Sequence, residues 1–339
     1  MDYKLQEVTK IKLKNEEDEN HYYYYYEKRE VLHLLAFKDK ILIVQRNKHI
    51  NIINKNNLKL YSLIKKIEDD GFFSATILTS SGDIACCGDN GTISIFKIKP
   101  ILCQLRQTIP ILDKKKIYRI KEITNNKLIS NQDEKSLIFY EYKNNKLKLT
   151  NKIIMENYIE NFLPTKNNDI LLYANFFCPK YHFKILLFDT EKLKIIKEVL
   201  SCNGNSAIYE PFSFLTKNIV AIVIAETLFL VDINNDYSII TQIFESKSRW
   251  INSICCLDHK KIVTGDAEGN LILWNYEKNN IKKIGEYSFK KKNNNSSNGL
   301  TSLLKINKNL FLVGGEYYLF YACNYFRENM GNKERSNNH

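Results

Sequence analysis

Short apolar runs, separated by turns that carry Asp, Gly or Asn, recur along the chain. The clearest stretch lies at Trp250–Asn280, where turns at Asp258–Lys260 and Glu268–Gly269 separate three apolar runs. Its apolar residues do not repeat at the i, i+3, i+4, i+7 spacing of an amphipathic helix. Runs of this length between such turns are typical of β-hairpins. The stretch therefore predicts three short antiparallel strands.

The same succession of strands occurs seven times, and a fourth apolar strand follows in the first six copies. We predict the copies near residues 31–64, 74–106, 117–151, 160–197, 208–242, 250–288 and 299–323. The position of Trp274 holds a bulky, β-favouring residue in the other copies, namely Ile53, Phe96, Tyr140, Phe188, Val231 and Tyr321. A period of roughly forty to fifty residues suits a unit of four strands.

The stretch at Trp250–Asn280 resembles a WD-repeat blade through Thr264-Gly265, Glu268-Gly269 and Trp274-Asn275. The resemblance implies an all-β, seven-bladed β-propeller with four-stranded antiparallel blades, in a single domain over residues 1–323. Six or eight blades remain open alternatives. Thr264, Glu268 and Trp274 are expected to be structural residues that tie a turn to the sheet. No copy carries the Gly-His of the family, so its polar network is incomplete here.

The last copy lacks a fourth strand, and the N-terminal segment Tyr3–Leu13 has strand character. Propellers of the family close by pairing an N-terminal strand with the last blade, which removes exposed strand edges. The resemblance therefore implies a ring closed by Tyr3–Leu13. The polar residues 324–339 are predicted to be a disordered tail. The run Tyr22–Tyr26 is compatible with an extended inner strand and with an exposed patch.

Composition and charge define the remaining classes of function. The chain has 339 residues, is 44% hydrophobic and carries a net charge of +12, most of it from lysine. Lys-rich loops leave open a polyanion binder, for nucleic acid or for an anionic membrane or phosphoinositide. Phosphoinositide-binding propellers carry an Arg-Arg motif, and no two arginines are adjacent in this chain. Its absence disfavours phosphoinositide binding of that kind. The candidate basic residues are Lys114, Lys115, Lys116, Lys290, Lys291 and Lys292.

Catalytic chemistry and membrane insertion are both disfavoured by the sequence. The six histidines are scattered, and no Cys-x-x-Cys, phosphate loop or nucleophile motif occurs. We therefore expect no enzyme activity, no cofactor and no metal. The longest apolar run, Ile219–Ala225, is too short to cross a bilayer. We expect no transmembrane segment and a cytoplasmic protein, with the nucleus as the alternative.

Aromatic residues and one arginine cluster at the links that lead into the first strand of each copy. In the WD-repeat family these links surround the mouth of a central channel, where peptides commonly bind. The longer turn Asn175–His182 is expected to add a second lip. We therefore expect a non-catalytic interaction scaffold that binds a protein or peptide, within a multiprotein complex, on one face. A buried, structural Trp250 is the alternative at that position. The candidate partner-binding residues are Phe72, Phe73, Tyr118, Phe176, Phe177, Tyr181, Tyr209, Arg249 and Trp250.

Overall fold

The structure is a computed structural model. It describes residues 3–10, 31–45, 49–65, 72–110, 115–124, 126–133, 135–165, 169–178, 180–203, 210–244, 250–289, 299–307, 310–315 and 320–327. Across these segments the regular secondary structure is all β, without a helix. This is the fold class that the alternation of apolar runs and turns predicts, and it follows from the many β-branched and aromatic residues in those runs.

The strands are grouped in sheets that follow one another along the chain. Strand β1 (Tyr3–Lys10) belongs to the last sheet. Sheet 1 contains β2 (Val31–Phe37), β3 (Lys40–Gln45), β4 (His49–Asn54) and β5 (Leu60–Lys65). Sheet 2 contains β6 (Phe72–Ile77), β7 (Ile84–Gly88) and β8 (Thr92–Lys97); after β9 (Ile101–Leu102), which joins sheet 1, it ends with β10 (Gln104–Pro110). Sheet 3 contains β11 (Ile117–Thr124), β12 (Lys127–Gln132), β13 (Ser136–Lys143) and β14 (Lys146–Ile154).

The second half of the chain repeats this organisation. Sheet 4 contains β15 (Tyr158–Pro164), β16 (Asp169–Cys178), β17 (Lys180–Asp189) and β18 (Lys194–Asn203). Sheet 5 contains β19 (Phe212–Phe214), β20 (Ile219–Ile224), β21 (Thr227–Asp232) and β22 (Ser238–Phe244). Sheet 6 contains β23 (Ile251–Cys256), β24 (Lys261–Asp266), β25 (Asn270–Glu277) and β26 (Asn280–Ser288). Sheet 7 contains β27 (Leu300–Lys305), β28 (Leu310–Gly315) and β29 (Phe320–Arg327), with β1 at its edge.

Six of the sheets in the described segments have four antiparallel strands, and the sheets are arranged as a β-propeller. The prediction of an all-β propeller is confirmed, and the prediction of four-stranded antiparallel sheets is confirmed for these six sheets. We call the first strand of each sheet its inner strand: β2, β6, β11, β15, β19, β23 and β27. Each lies at one edge of its sheet and packs close to the inner strand of at least one neighbouring sheet. Six of the described inner strands, all except β15, contribute residues to the wall of one central space, which we call the channel.

Apolar side chains fill the space between successive sheets. Burying this surface supplies the main driving force for stacking the sheets. One cluster joins sheets 4, 5 and 6, and four others join sheets 1 and 2, 2 and 3, 3 and 4, and 6 and 7. A further cluster packs Val31 and Ile43 of sheet 1 with Ile306 and Leu312 of the sheet 7 region. The last sheet is therefore packed on the first.

One position in the third strand of sheets 1 to 6 is a common packing element; the side chain of Tyr321, its equivalent in sheet 7, lies outside the described set. The side chain of Trp274 in β25 is 1% exposed, and its equivalents are also buried, namely Ile53, Phe96, Tyr140, Phe188 and Val231. At or beside each of these residues the pairing with the outer strand shifts register by a β-bulge. A bulge bends its strand and increases the local twist. The shared bulge indicates that these sheets are repeats of one structural unit.

Sheet 1 departs from the four strands predicted for every blade. The short strand β9 pairs in parallel with β5, with Ser62 opposite Ile101 and Leu63 opposite Leu102. Ile101 has a φ of 69°, a left-handed conformation that turns the chain toward sheet 1 before it returns to sheet 2. The hydroxyl of Ser62 lies 3.3 Å from the Cys103 thiol and links the two sheets. The four-strand prediction is therefore wrong for sheet 1.

The C-terminal boundary also differs from the prediction. Residues 324–327 form the second half of β29 and pair with residues 3–6 of β1, so the predicted start of the tail at 324 is wrong. Strand pairing holds residues 324–327 in place through backbone hydrogen bonds to β1, which do not depend on the polarity of the side chains. Residues 328–339 and the run Tyr22–Tyr26 lie outside the described residues.

Candidate functional site

The rim is the edge of the propeller where the inner strands begin, and it carries a stacked aromatic pair. The rings of Phe73 and Tyr118 are 5.3 Å apart between centroids and inclined by 18°. Both side chains are partly exposed. The ammonium group of Lys116 lies 5.8 Å from the centroid of the Phe73 ring. Sheets 2 and 3 thus share a flat apolar surface with a positive charge beside it.

Trp250 lies immediately before β23, on the same rim. Trp250 is 42% exposed. Its backbone carbonyl accepts a hydrogen bond from the Ala267 amide at 2.9 Å. The backbone is therefore held while the indole faces solvent. The alternative of a buried, structural Trp250 is wrong, because burial begins only at the next residue, Ile251, which is 1% exposed.

Phe72 was predicted to belong to the partner surface and does not. It is 2% exposed and packs in the core between sheets 1 and 2. Successive residues of a strand point to opposite sides, so of two adjacent phenylalanines only Phe73 remains on the rim. Sequence alone does not determine which of the two faces outward.

The turn predicted at Asn175–His182 is instead the end of a long hairpin. Strands β16 and β17 extend to Cys178 and Lys180, with Phe176 opposite His182. The predicted turn is wrong because the aromatic residues continue the ladder, with Phe177 opposite Tyr181. The Phe176 ring contacts His182 edge-on, with centroids 6.2 Å apart, and the Lys184 ammonium lies 4.6 Å from its centroid.

Several predicted site residues cannot be placed on the rim. Phe177 and Tyr181 pair through their backbones in β16 and β17, and their side chains lie outside the described set. Six further residues lie outside the described segments altogether: Tyr209, Arg249, Lys114, Lys290, Lys291 and Lys292. Their proposed roles stay predictions.

The two described basic-loop residues contact carboxylates on the rim. The Lys116 ammonium lies 3.0 Å from Asp89, and the Lys115 ammonium forms an ion pair with Asp133. The side chains of all four residues are partly to well exposed, so each pair contributes little to stability. These contacts nevertheless place negative charge beside each lysine.

The predicted structural residues of sheet 6 form part of a hydrogen-bonded network. The indole Nε1 of Trp274 donates to Thr264 Oγ1 at 2.9 Å inside the sheet. Glu268 lies in the following turn, where its amide donates to Asp266 Oδ1 at 2.9 Å. Asp266 also accepts from the amide of Asn270 at 2.7 Å and from its side chain at 2.8 Å. Asp266, missed in the sequence, is thus the carboxylate that anchors this turn.

A cluster of polar side chains crosses the channel below the rim. It contains His33 of β2, Arg119 and Lys121 of β11, and Glu210 just before β19. His33 Nδ1 contacts the Glu210 carboxylate, and the Arg119 guanidinium contacts His33 Nε2. These residues come from sheets 1 and 3 and from the link to sheet 5, which are not neighbours. The cluster therefore bridges the channel.

Charge and burial fix the protonation states in this cluster. Burial, together with the positive charge of Arg119, lowers the pKa of His33 from 6.5 to about 4. Burial opposes ionisation of Glu210, but His33, Lys121 and Arg119 outweigh it and lower its pKa to about 2. Burial also lowers the pKa of Lys121, against the attraction of Glu210. A neutral His33 that donates from Nδ1 and accepts at Nε2 satisfies both neighbours.

The sequence carried a weak signal for this cluster. His33 interrupts an apolar run, and Arg119 and Lys121 are two positions apart, which places them on one face of a strand. The scattered positions of the six histidines do not indicate these partners. The partners are far apart in the chain, 86 residues for His33 and Arg119, so their contact depends on how the sheets are arranged.

The described residues contain no group of three His, Cys, Asp or Glu side chains that could hold a metal ion. The described segments also contain no helix with the length and hydrophobicity of a bilayer span. A scan against protein-family models and a search of curated proteins gave no match. Function is therefore inferred from the rim and the channel.

Proposed function

We propose that this chain is a non-catalytic interaction platform that binds a protein or peptide partner on the rim. The exposed indole of Trp250 on a held backbone is the observation that carries this proposal. Trp and Tyr often dominate binding energy, because they offer large rigid surfaces at small entropic cost. The Phe73–Tyr118 stack supplies a second surface of the same kind. A propeller is a rigid support for such residues, and propellers are commonly interaction scaffolds.

The sheets are inferred to form one closed, seven-bladed ring. Support comes from the pairing of β1 with β29 and from the apolar cluster between sheets 7 and 1. The Thr301 hydroxyl also donates to the Val31 carbonyl, and the Leu34 amide donates to Ser302 Oγ at 3.0 Å. Both bonds join the last inner strand to the first. A closed ring fixes the positions of all rim residues relative to one another.

Kinship with WD-repeat propellers is part of the same proposal. The bond between Trp274 and Thr264 supports it, since a hydroxyl and an aromatic donor at this spacing tie two strands of a blade together. Sheet 3 has an equivalent pair ten residues apart, with Tyr140 Oη and Ser130 Oγ at 3.1 Å. These ties stabilise the blades and leave the rim free to vary.

A protein partner fits the rim better than a polyanion does. Lys115 and Lys116 lie beside Asp133 and Asp89, so this sector presents paired charges. Phosphate backbones bind surfaces with an excess of positive charge, and such binding weakens steeply with salt. The polyanion alternative depends on residues 290–292, which lie outside the described segments.

The test is to capture partners with the full chain and then to titrate the purified partner against variants. Trp250→Ala combined with Tyr118→Ala should weaken binding by about 2 kcal/mol, roughly thirtyfold. The matched control is Phe214→Ala, because Phe214 is 39% exposed but lies at the end of β19, opposite the rim. Folding of each variant is checked by thermal unfolding.

Two results would contradict the proposal. One is a folded Trp250/Tyr118 variant that binds the partner as tightly as the parent. The other is binding that is directed at nucleic acid or acidic vesicles and that collapses between low and physiological salt, which would favour the polyanion alternative.

A further inference from the structure

A cavity of about 400 Å³ lies in the channel, and His33, Lys121 and Glu210 of the polar cluster form part of its wall. Its walls include the second halves of several inner strands, among them Thr76, Glu122, Cys256 and Lys305. The rim residues Phe73, Tyr118 and Trp250 are not part of this wall. The volume of the cavity lies within the range of small-ligand sites, roughly 300–1,000 Å³.

Four hydroxyl groups in the cavity wall accept hydrogen bonds from the backbone of an adjacent inner strand. The bonds are Ile120 N to Ser74 Oγ (3.3 Å), Glu122 N to Thr76 Oγ1 (3.2 Å), Cys256 N to Ser213 Oγ (2.9 Å) and Leu34 N to Ser302 Oγ (3.0 Å). A hydroxyl also has one proton to donate. Within the described part of the chain these four donate it to no protein acceptor, so the wall presents a surplus of donors.

Charged groups increase this surplus. The Lys121 ammonium has three protons to donate and makes one hydrogen bond in the described structure, to Asn161 Oδ1 at 3.2 Å. Lys305 adds a second ammonium group at the ends of the strands. The two carboxylates of the wall already have donors. Glu210 contacts His33, and Glu122 accepts from the amide of Thr79 at 3.0 and 3.2 Å.

We propose that this cavity binds a small oxyanion, a carboxylate or phosphate group, between Lys121 and the hydroxyls of Ser74, Ser213 and Ser302. An oxyanion accepts several hydrogen bonds at once and neutralises a partly buried ammonium, which matches the unused donors of the wall. Arg119 lies behind His33 and raises the local positive charge further. The site goes beyond the partner-binding function, since it uses none of the rim residues.

The test titrates inorganic phosphate and, separately, succinate into the full chain by calorimetry at constant ionic strength. The parent should bind at least one of them, and the tighter of the two identifies the chemical source of the oxyanion. Lys121→Met should weaken binding by about tenfold or more, because it removes a charge-assisted hydrogen bond. The matched control is Lys115→Met, which removes the same charge from the rim.

A second variant keeps the proposal testable if Lys121→Met does not fold. Ser213→Ala removes one donor from a half-buried position and should weaken binding several-fold. Thermal unfolding of the parent should shift upward in the bound oxyanion and remain unchanged in chloride of equal ionic strength. Absence of binding at millimolar concentrations, or equal losses in Lys121→Met and Lys115→Met, would overturn the proposal. Equal losses in the two variants would mean that the anion is attracted by the overall positive charge of the protein and not by the cavity.

Discussion

His33 has an unusual position for a histidine, since it lies between a guanidinium and a carboxylate inside the channel. Its neutral form donates to Glu210 and accepts from Arg119. Protonation would place a third positive charge beside Arg119 and Lys121 in a poorly solvated space, which is costly. The folded state therefore favours the neutral form of the His33 imidazole.

This linkage predicts how stability depends on pH. His33 has a folded pKa of about 4, below the ordinary 6.5. Between these values only the unfolded chain gains the proton, so the free energy of unfolding should fall as the pH decreases from about 6.5 to 4. The loss is on the order of 3 kcal/mol at most. Glu210, with a pKa lowered from 4.5 to about 2, adds a further loss below pH 4.5.

Urea unfolding at a series of pH values measures this effect. His33→Gln should flatten the curve between pH 6.5 and 4, even where it lowers stability at neutral pH. The control is His259→Gln, at an exposed position in a turn. A parent curve that is level between pH 6.5 and 4, or a slope that survives in His33→Gln, would refute the account of the cluster.

Individual residues could be predicted from the sequence only in part. The pairing of Thr264 with Trp274 follows from motif and spacing, and the structure contains it. The orientation of Phe72 and Phe73 could not be predicted, because a shift of one position reverses every side chain of a strand. The His33 cluster could not be predicted for another reason. Its members are far apart in the sequence and come into contact only when the sheets pack.

At the scale of elements, close backbone approach explains two glycines. A Cβ on Gly314 of β28 would lie 2.5 Å from Val31 Cγ1 of β2, and a Cβ on Gly265 of β24 would lie 2.9 Å from Leu300 Cβ of β27. Both glycines are in the second strand of a sheet and face the first residue of the next inner strand. They let neighbouring sheets pack closely, and Gly314 does so between the last sheet and the first.

We predict that Gly314→Ala destabilises the protein by about 1–3 kcal/mol, because the added methyl group overpacks a rigid contact. Denaturant unfolding measures the loss. Val31→Ala in the same chain removes Cγ1, the nearest clashing atom, although the Val31 Cβ at 2.8 Å remains. The clash should therefore be partly relieved, and the double variant should lose less than the sum of the two single variants. Additive losses, or an unchanged midpoint for Gly314→Ala, would mean that sheets 7 and 1 do not pack as described.

The elements themselves were largely predictable, since apolar runs and turn residues mark strands and hairpins locally. The exceptions depend on information that is not local. Strand β9 leaves sheet 2 to pair with β5, although Ile101-Leu102 reads as an ordinary apolar strand. The hairpin of β16 and β17 extends through residues read as a turn, because cross-strand pairing continues there.

At the scale of the whole molecule, β1 is the segment that joins the two ends of the chain. It pairs with β29 from Tyr3 opposite Arg327 to Lys10 opposite Tyr321. A chain that begins at Glu30 should therefore lose several kcal/mol of stability, on the order of a packed strand. Thermal and urea unfolding of the two chains measure the difference. Equal melting of the shortened and full chains would show that β1 does not fasten the ring.

Propeller architecture could be predicted because the same pattern is repeated seven times, and repetition averages out local errors. The face that binds a partner is less determined by pattern, since it depends on which side chains remain exposed after the sheets pack. Trp250 and the Phe73–Tyr118 stack meet that condition, whereas Phe72 does not. The proposed function therefore depends on the rim as it is assembled from several sheets.

Hydrogen–deuterium exchange of the full chain, with and without a captured partner, tests the central claim most directly. Protection by a bound partner is read out segment by segment along the backbone. A partner on the rim should protect the beginnings of the inner strands, around residues 72–73, 117–118 and 250–251. Protection confined to outer strands such as β18 and β22, or to the far ends of the inner strands, would contradict a rim-binding platform.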